Sequence, residues 1–393
     1  MEHKKCNLIE ILLIIAISFS PYTSLRFSFF GITEVIIMII WIIIYKDGIL
    51  VGRSNKYFIF TRALLGIASF SIVGWFFNIF IFKYNSGTVS SALFNLLSII
   101  FVTITLYALE ITYIREIIDY AIVLKYSFWS LSLSLNVLYI LSLFTNNIGS
   151  LTLKEYYMFC PLADNIHQVA MISVQLPFIG GYFAANEKKF VKKIFMYCLS
   201  VGDIIVSWMT NSTKAKMGII VGFLILLFYF LILNTKYTKQ SKKNAFVIYI
   251  IIFIGTFLVL MPKILNFFEV FFAENDGQGA RKNLYKSAFQ IIKKSPIFGL
   301  GPSCHVIYDG RYFDAHETFL TVALISGCIG VGFLIVLYFK VFIQIKQSGW
   351  LLAACATIFI YALGGDVLRR LPVWVLMELM FLMLKRNESS LLK

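Results

Sequence analysis

Apolar residues in this chain run in stretches of ~17–22 that lack strict alternation, with short polar connections between them. Inside hydrocarbon only helices and closed barrels satisfy their backbone hydrogen bonds, and a barrel requires a period of two, so the pattern predicts helices. The predicted spans lie near Leu8–Pro21, Phe27–Tyr45, Tyr57–Ile81, Thr88–Leu109, Tyr126–Phe144 and Ile166–Ala185. Further spans lie near Ile194–Met209, Met217–Leu233, Ala245–Met261, His316–Phe339, Trp350–Leu363 and Pro372–Leu384. The fold class expected is an all-α polytopic membrane protein of about twelve transmembrane helices. Lys4 and Lys5 precede the first run as they would in a secretory signal. No small-residue cleavage site follows before the next span, so an uncleaved first helix is expected.

One connection breaks the rhythm. It divides the chain into an N-terminal bundle (1–262), a long loop (263–315) and C-terminal helices with a short tail (316–393). Loops of this length are uncommon and often functional. From Lys282 to Lys294 its apolar residues (Leu284, Tyr285, Ala288, Phe289, Ile291, Ile292) and its polar ones fall on separate arcs at ~100° per residue. The segment predicts an amphipathic helix at the membrane interface or capping the bundle, ended by Ser295-Pro296. Arg281, one step before it, extrapolates toward the apolar arc. Gly299-Leu300-Gly301-Pro302 reads as a tight backbone element. Gly327, Gly330 and Gly332 read as small residues for close helix packing in lipid.

Composition agrees with the pattern: 59% of the 393 residues are hydrophobic and 14% are charged, where soluble domains are nearer 45–50% and a quarter. The net charge of +15 would suit nucleic acid, but its distribution argues otherwise. Lys46, Arg53 and Lys56, then Arg115 and Lys125, then Lys188, Lys189, Lys192 and Lys193 lie on alternate connections. Lys236, Lys239, Lys242 and Lys243, Lys340 and Lys346, and Lys385 and Arg386 continue the series. This is the positive-inside pattern; it predicts that both termini are cytoplasmic and needs no nucleic-acid partner. The long loop is then external, and its seven basic residues do not oppose this, since long loops translocate largely regardless of charge. Six cysteines form no Cys-x-x-Cys pair; Cys198, Cys328 and Cys355 read as small apolar span residues.

Few residues carry chemistry. His316 stands where the long outer loop meets a span, and a histidine there accepts a proton near neutral pH; the alternative is a helix cap or a lipid contact. Arg281 offers a planar cationic fork for phosphate oxygens, or else pairs with Glu274 or Asp276. Lys214 and Lys216 lie on a very short outer turn, against the positive-inside bias, as phosphate ligands or as snorkelling lysines. Glu317 and Arg311, close to His316 in the chain, are supporting candidates. Asp203, Glu34, Glu378 and Arg62 are ionisable groups in or near spans, but they are scattered. No Asp-x-Asp occurs, and no metal site is expected.

Taken together, Arg281, Ser295-Pro296-Ile297-Phe298-Gly299-Leu300-Gly301, His316 and Gly327-Cys328-Ile329-Gly330 resemble the O-antigen polymerase and O-antigen ligase superfamily of bacterial surface polysaccharide assembly. In that family a large periplasmic loop carries an arginine, a Pro-x-x-Gly-x-Gly element, and a histidine usually followed by asparagine. Asn211-Ser212-Thr213-Lys214 resembles the family's Ser-Arg turn, with lysine replacing arginine. Glu317 stands where asparagine is usual. The resemblance is concentrated in residues 281–332, with weaker support near 209–218.

The resemblance implies glycosyl transfer at the outer face of the cytoplasmic (inner) membrane. An undecaprenyl-pyrophosphate-linked oligosaccharide would be the donor, and a hydroxyl of another lipid-linked repeat unit the acceptor. Arg281, Lys214 and Lys216 would steady the leaving pyrophosphate, and His316 would take the attacking hydroxyl's proton. No divalent ion or other cofactor is required. A chain-length regulator and a flippase are the implied protein partners. Polymerisation into O-antigen, capsular or exopolysaccharide is favoured. A ligase moving finished polymer onto a terminal acceptor would use nearly the same residues. A non-enzymatic transporter of lipid-linked sugars would instead show charges lining a central cavity and repeated halves.

Overall fold

The computed structural model describes residues 7–27, 30–46, 58–84, 88–233, 255, 279–308, 311–313, 315 and 317–391. Of the expected span Ala245–Met261 only Gly255 falls among them, and loop segment 263–278 lies outside. The described residues are mostly helical. The first half contains α1 (Leu8–Phe19), α2 (Ile32–Lys46), α3 (Ile59–Phe77), α4 (Val89–Ile114) and α5 (Tyr120–Ser142). There follow α6 (Ile166–Ser173), α7 (Leu176–Asn186), α8 (Phe190–Met209) and α9 (Thr213–Phe228). The C-terminal part contains α10 (Gly279–Ile292), α11 (Thr318–Ile345), α12 (Gly349–Ala362) and α13 (Leu371–Leu391). Strands occur as short antiparallel ribbons in the connections, such as Val306–Tyr308 with Arg311–Phe313.

Among the described residues, six helical stretches are long and apolar enough to cross a membrane: Ile59–Phe82, Val89–Ile114, Tyr120–Ser142, Ile166–Asn186, Thr213–Leu231 and Thr318–Ile345. The chain is a multi-pass membrane protein. Helices α1 and α12 are apolar but shorter. The expected span near Ile166–Ala185 is two helices, α6 and α7, with Pro177 in the first turn of the second. Proline belongs there, because a first-turn N–H has no intrahelical acceptor to lose.

Burial follows the apolar pattern. In α13 every residue from Val373 to Leu384 is buried, as expected of a helix that is apolar on all sides. It packs against α4, α5 and α11. Outer helices bury one stripe only. In α2, Thr33, Ile37, Ile40 and Ile44 face inward while Ile39, Ile42 and Tyr45 are exposed. Phe76, Phe80, Phe94 and Leu97 are likewise exposed, a surface suited to lipid rather than water.

Polar contacts gather the connections into two sets. Asn7 caps α1 in a reciprocal box with Glu10 and donates to Ile117 O at 2.7 Å. Glu10 accepts from Asp119 N at 2.7 Å, and Arg386 donates to Ile118 O at 2.8 Å. The start of α1, the α4–α5 turn and the end of α13 therefore share one end. At the other end, Asp164 pairs with Arg26 at 2.7 Å and accepts from Ser24 at 2.9 Å, joining the α1–α2 and α5–α6 connections. There too Asn95 of α4 donates to Pro302 O at 2.9 Å, and Lys294 sits over the Tyr84 ring at 4.6 Å.

Candidate active site

The Pro296–Gly301 segment runs between α3 and α11 at a break in α11. Gly327 has φ 65° and ψ −165°, which splits that helix in two. A break strands carbonyls on one side and N–H groups on the other. Here the loop supplies the partners. Leu300 N donates to Leu324 O at 2.8 Å, Gly301 N to Ile325 O at 3.1 Å, and Cys328 N to Pro296 O at 2.8 Å. Glycine is required by the crowding. A Cβ on Gly299 would lie 2.5 Å from the Ile325 carbonyl carbon, one on Gly327 2.1 Å from Ile297 O, and one on Gly74 of α3 2.4 Å from Phe298 O. Phe298 stacks with Phe77 at 5.2 Å between ring centroids. The sequence reading of Gly327 and Gly332 as helix-packing residues needs correcting. Gly327 makes the break, and nothing lies within 4 Å of a Cβ on Gly332.

Helix α10 forms where the amphipathic pattern predicts it, beginning a turn earlier and ending two residues sooner. Leu284, Ala288 and Ile291 are buried at i, i+4 and i+7, and the helix packs on the Val306–Phe313 ribbon and on α11. Phe289, assigned to the same apolar set, is exposed.

The candidate residues separate into three groups. His316 lies outside the described residues. Arg281 falls in the first turn of α10 and Arg311 in the ribbon strand Arg311–Phe313, with their side chains outside the description. Glu317, Lys214 and Lys216 are fully placed. Glu317 is the N-cap of α11: its carboxylate accepts from Phe319 N at 3.0 Å and from Leu320 N. Burial pushes this carboxyl up to about 6, with the two backbone donors opposing and the nearby Asp366 adding to the rise. The capping role considered for His316 thus belongs to its neighbour.

The two lysines diverge because residues two apart on a helix face different ways. Lys216 donates to Asn211 Oδ1 at 2.6 Å and covers Trp208 at 5.4 Å. Lys214 lies over the Tyr361 ring at 5.7 Å and against the turn after α12. A Cβ on Gly365 would sit 3.2 Å from Lys214 Nζ, and one on Gly364 3.3 Å from its Cγ. Gly365 O accepts from Thr318 Oγ1 at 2.7 Å, and Thr318 Oγ1 accepts in turn from Val367 N at 3.0 Å. Through this turn, Lys214 reaches the start of α11, two residues after His316. The N-cap of α9, Ser212, makes no side-chain cap bond. That helix end and Lys214 together present positive potential to an anion.

The turn 363–370 brings residues that the sequence reading did not weigh. Arg369 donates to Asn95 Oδ1 and pairs with Asp366 at 3.3 Å; Asn95 holds the loop through Pro302 O. Arg370 acts electrostatically on Tyr361, whose hydroxyl meets His167 Nδ1 at 3.0 Å. His305 Nε2 lies 3.0 Å from Ser91 Oγ. Two arginines on an expected outer turn violate the positive-inside bias as Lys214 does, and that signal was available in the sequence.

No curated protein matches the chain. Residues 201–335, which include Lys214, Arg281, the Pro296–Gly301 segment and His316, match the family model described as Wzy_C, O-Antigen ligase, so this part of the chain is similar to that family.

Proposed function

We propose that this protein is a glycosyltransferase that polymerises undecaprenyl-pyrophosphate-linked oligosaccharide repeat units at the outer face of the cytoplasmic membrane. The observation that carries the reading is the meeting of Lys214 with the Gly364–Gly365 turn, itself bonded to Thr318 at the head of α11. It brings a cation from one helix end beside the helix start that His316 precedes. Lys214 and Arg281 neutralise the pyrophosphate as the glycosidic bond breaks, and fixed cations at a developing charge are an effective way to lower a barrier. His316 accepts the proton of the attacking hydroxyl, a contribution of ~10²–10⁴-fold. Glu317 holds the α11 terminus, which His316 precedes in the chain. The end that gathers residues 24, 164 and 302 is the external one, and the end that gathers residues 7, 117 and 386 is cytoplasmic; the lysine-rich connections support this orientation.

The test is reconstitution of the purified protein with lipid-linked repeat units. Wild type should yield polymer on the lipid carrier, while His316→Ala and Arg281→Ala, expressed at wild-type level, should yield single repeats only. A family description as a ligase gives the second reading its support: transfer of preformed polymer to a terminal acceptor, with no elongation of repeats, would establish it. Full-length polymer from either variant would remove that residue from the mechanism.

A further inference from the structure

Tyr361 stands one residue before the end of α12 with its side chain buried, and a buried phenol needs a partner for its hydroxyl. A single residue of α6 supplies it. The Tyr361 hydroxyl lies 3.0 Å from His167 Nδ1 and 3.4 Å from the His167 carbonyl oxygen, across 194 positions of chain. His167 is itself held in place, because Asn165, the N-cap of α6, accepts from its backbone N–H at 2.8 Å. The two rings meet edge to face, with centroids 6.4 Å apart and planes at 73°. The hydroxyl bond and the edge contact together set the plane of the Tyr361 ring. On the face of that ring stands the Lys214 ammonium, 5.7 Å from the centroid. One glycine borders both groups: a Cβ on Gly365 would lie 2.9 Å from Tyr361 Cε1 and 3.2 Å from Lys214 Nζ. A Cβ on Gly364 would meet the lysine stem, 3.3 Å from Cγ and 3.4 Å from Cε. Lys214 therefore runs between the tyrosine ring and the Gly364–Gly365 turn. A lysine carries its charge on a flexible stem, and a ring face that attracts the ammonium narrows the positions it takes.

We propose that Tyr361 is a positioning residue whose ring, set by His167, holds the Lys214 ammonium toward the start of α11. The consequence for catalysis rests on the function given above; the contact itself rests on geometry alone. Tyr361 and His167 act through Lys214 and not on the sugar donor. The direction of hold follows from the turn, since Gly365 O accepts from Thr318 Oγ1 at 2.7 Å. A cation fixed before the reaction begins costs no reorganisation when charge develops on the leaving group. A lysine left to sample its rotamers lacks that advantage.

Two measurements on the full chain in lipid nanodiscs test this. In the first, lysines are reductively methylated with isotope-labelled formaldehyde, and the Lys214 methyl resonance is identified by its loss in Lys214→Arg. Ring current should move that resonance upfield. Tyr361→Phe should keep the shift, His167→Ala should reduce it and Tyr361→Leu should abolish it. An unshifted wild-type signal, or a shift that survives Tyr361→Leu, overturns the proposal. The second is a double-mutant cycle on kcat/KM with lipid-linked repeat units. Tyr361→Leu should lower the value by about fivefold or more, and Tyr361→Phe, which keeps the ring face, should stay within about threefold of wild type. In a Lys214→Ala background Tyr361→Leu should change the value by less than about twofold, because its effect passes through the lysine. Equal losses in both backgrounds would assign Tyr361 to bundle packing and overturn the proposal. Should Tyr361→Leu not accumulate, His167→Ala goes through the same cycle with the same criterion. The two readouts separate the claims. A shifted Lys214 signal in a wild type that transfers no sugar leaves the contact standing and removes the enzyme reading. Transfer with an unshifted signal does the reverse.

Discussion

At the scale of single residues, the site's two placed lysines carry opposite expectations. Lys214→Ala should reduce polymer formation by at least tenfold and Lys214→Arg should retain most of it, because Arg supplies the same charge with a phosphate-matching fork. Lys216→Ala should leave the rate within about twofold, since its ammonium is held by Asn211 against Trp208. Rates on reconstituted protein check both. Glu317 makes a different prediction. Removing its cap in Glu317→Ala should cost about 1 kcal/mol and lower the unfolding temperature, whereas Glu317→Asn, which still caps, should not. The folded chain holds the Glu317 proton up to about 6, above its ordinary 4.5. Its contribution to stability is therefore greatest at low pH and falls as pH rises between those values. A pH series of unfolding temperatures should show that fall in wild type and lose it in Glu317→Asn. Lys214 was readable from its misplaced charge. Arg369 was equally readable but only its bond to Asn95, far off in sequence, says what it holds.

Among the elements, α11 and the Pro296–Gly301 segment behave as one unit. Gly327→Ala should prevent accumulation of folded protein: its φ/ψ region is essentially reserved to glycine, at ~1–3 kcal/mol, and the new Cβ meets Ile297 O. Gly332→Ala, in open space one turn further on, should be tolerated and should raise helix stability by up to about 1 kcal/mol. Size-exclusion profiles of the two variants in detergent decide the contrast. Spacing alone made these glycines look alike, because a small-residue stripe and a chain break both select glycine. The amphipathic arc of α10, by contrast, was legible because a period of 3.6 reports which face is covered.

For the whole molecule, the two ends defined by polar contacts make a topology prediction. A cysteine at Tyr157, which is exposed, should react with an impermeant maleimide from outside intact cells, and one at Lys188 only after permeabilisation. Reversal would invert the bundle and remove the site from the face where exported lipid carriers present their sugars. The sequence by itself determined that the chain is helical and lipid-embedded and that its basic connections alternate, since hydrophobic length and period act locally and need no partner. Tertiary structure alone decided which lysine approaches the α11 start, that Glu317 caps it, and that a loop segment completes a broken helix. Those outcomes depend on contacts between residues tens to hundreds of positions apart, and such contacts leave no local period in the chain.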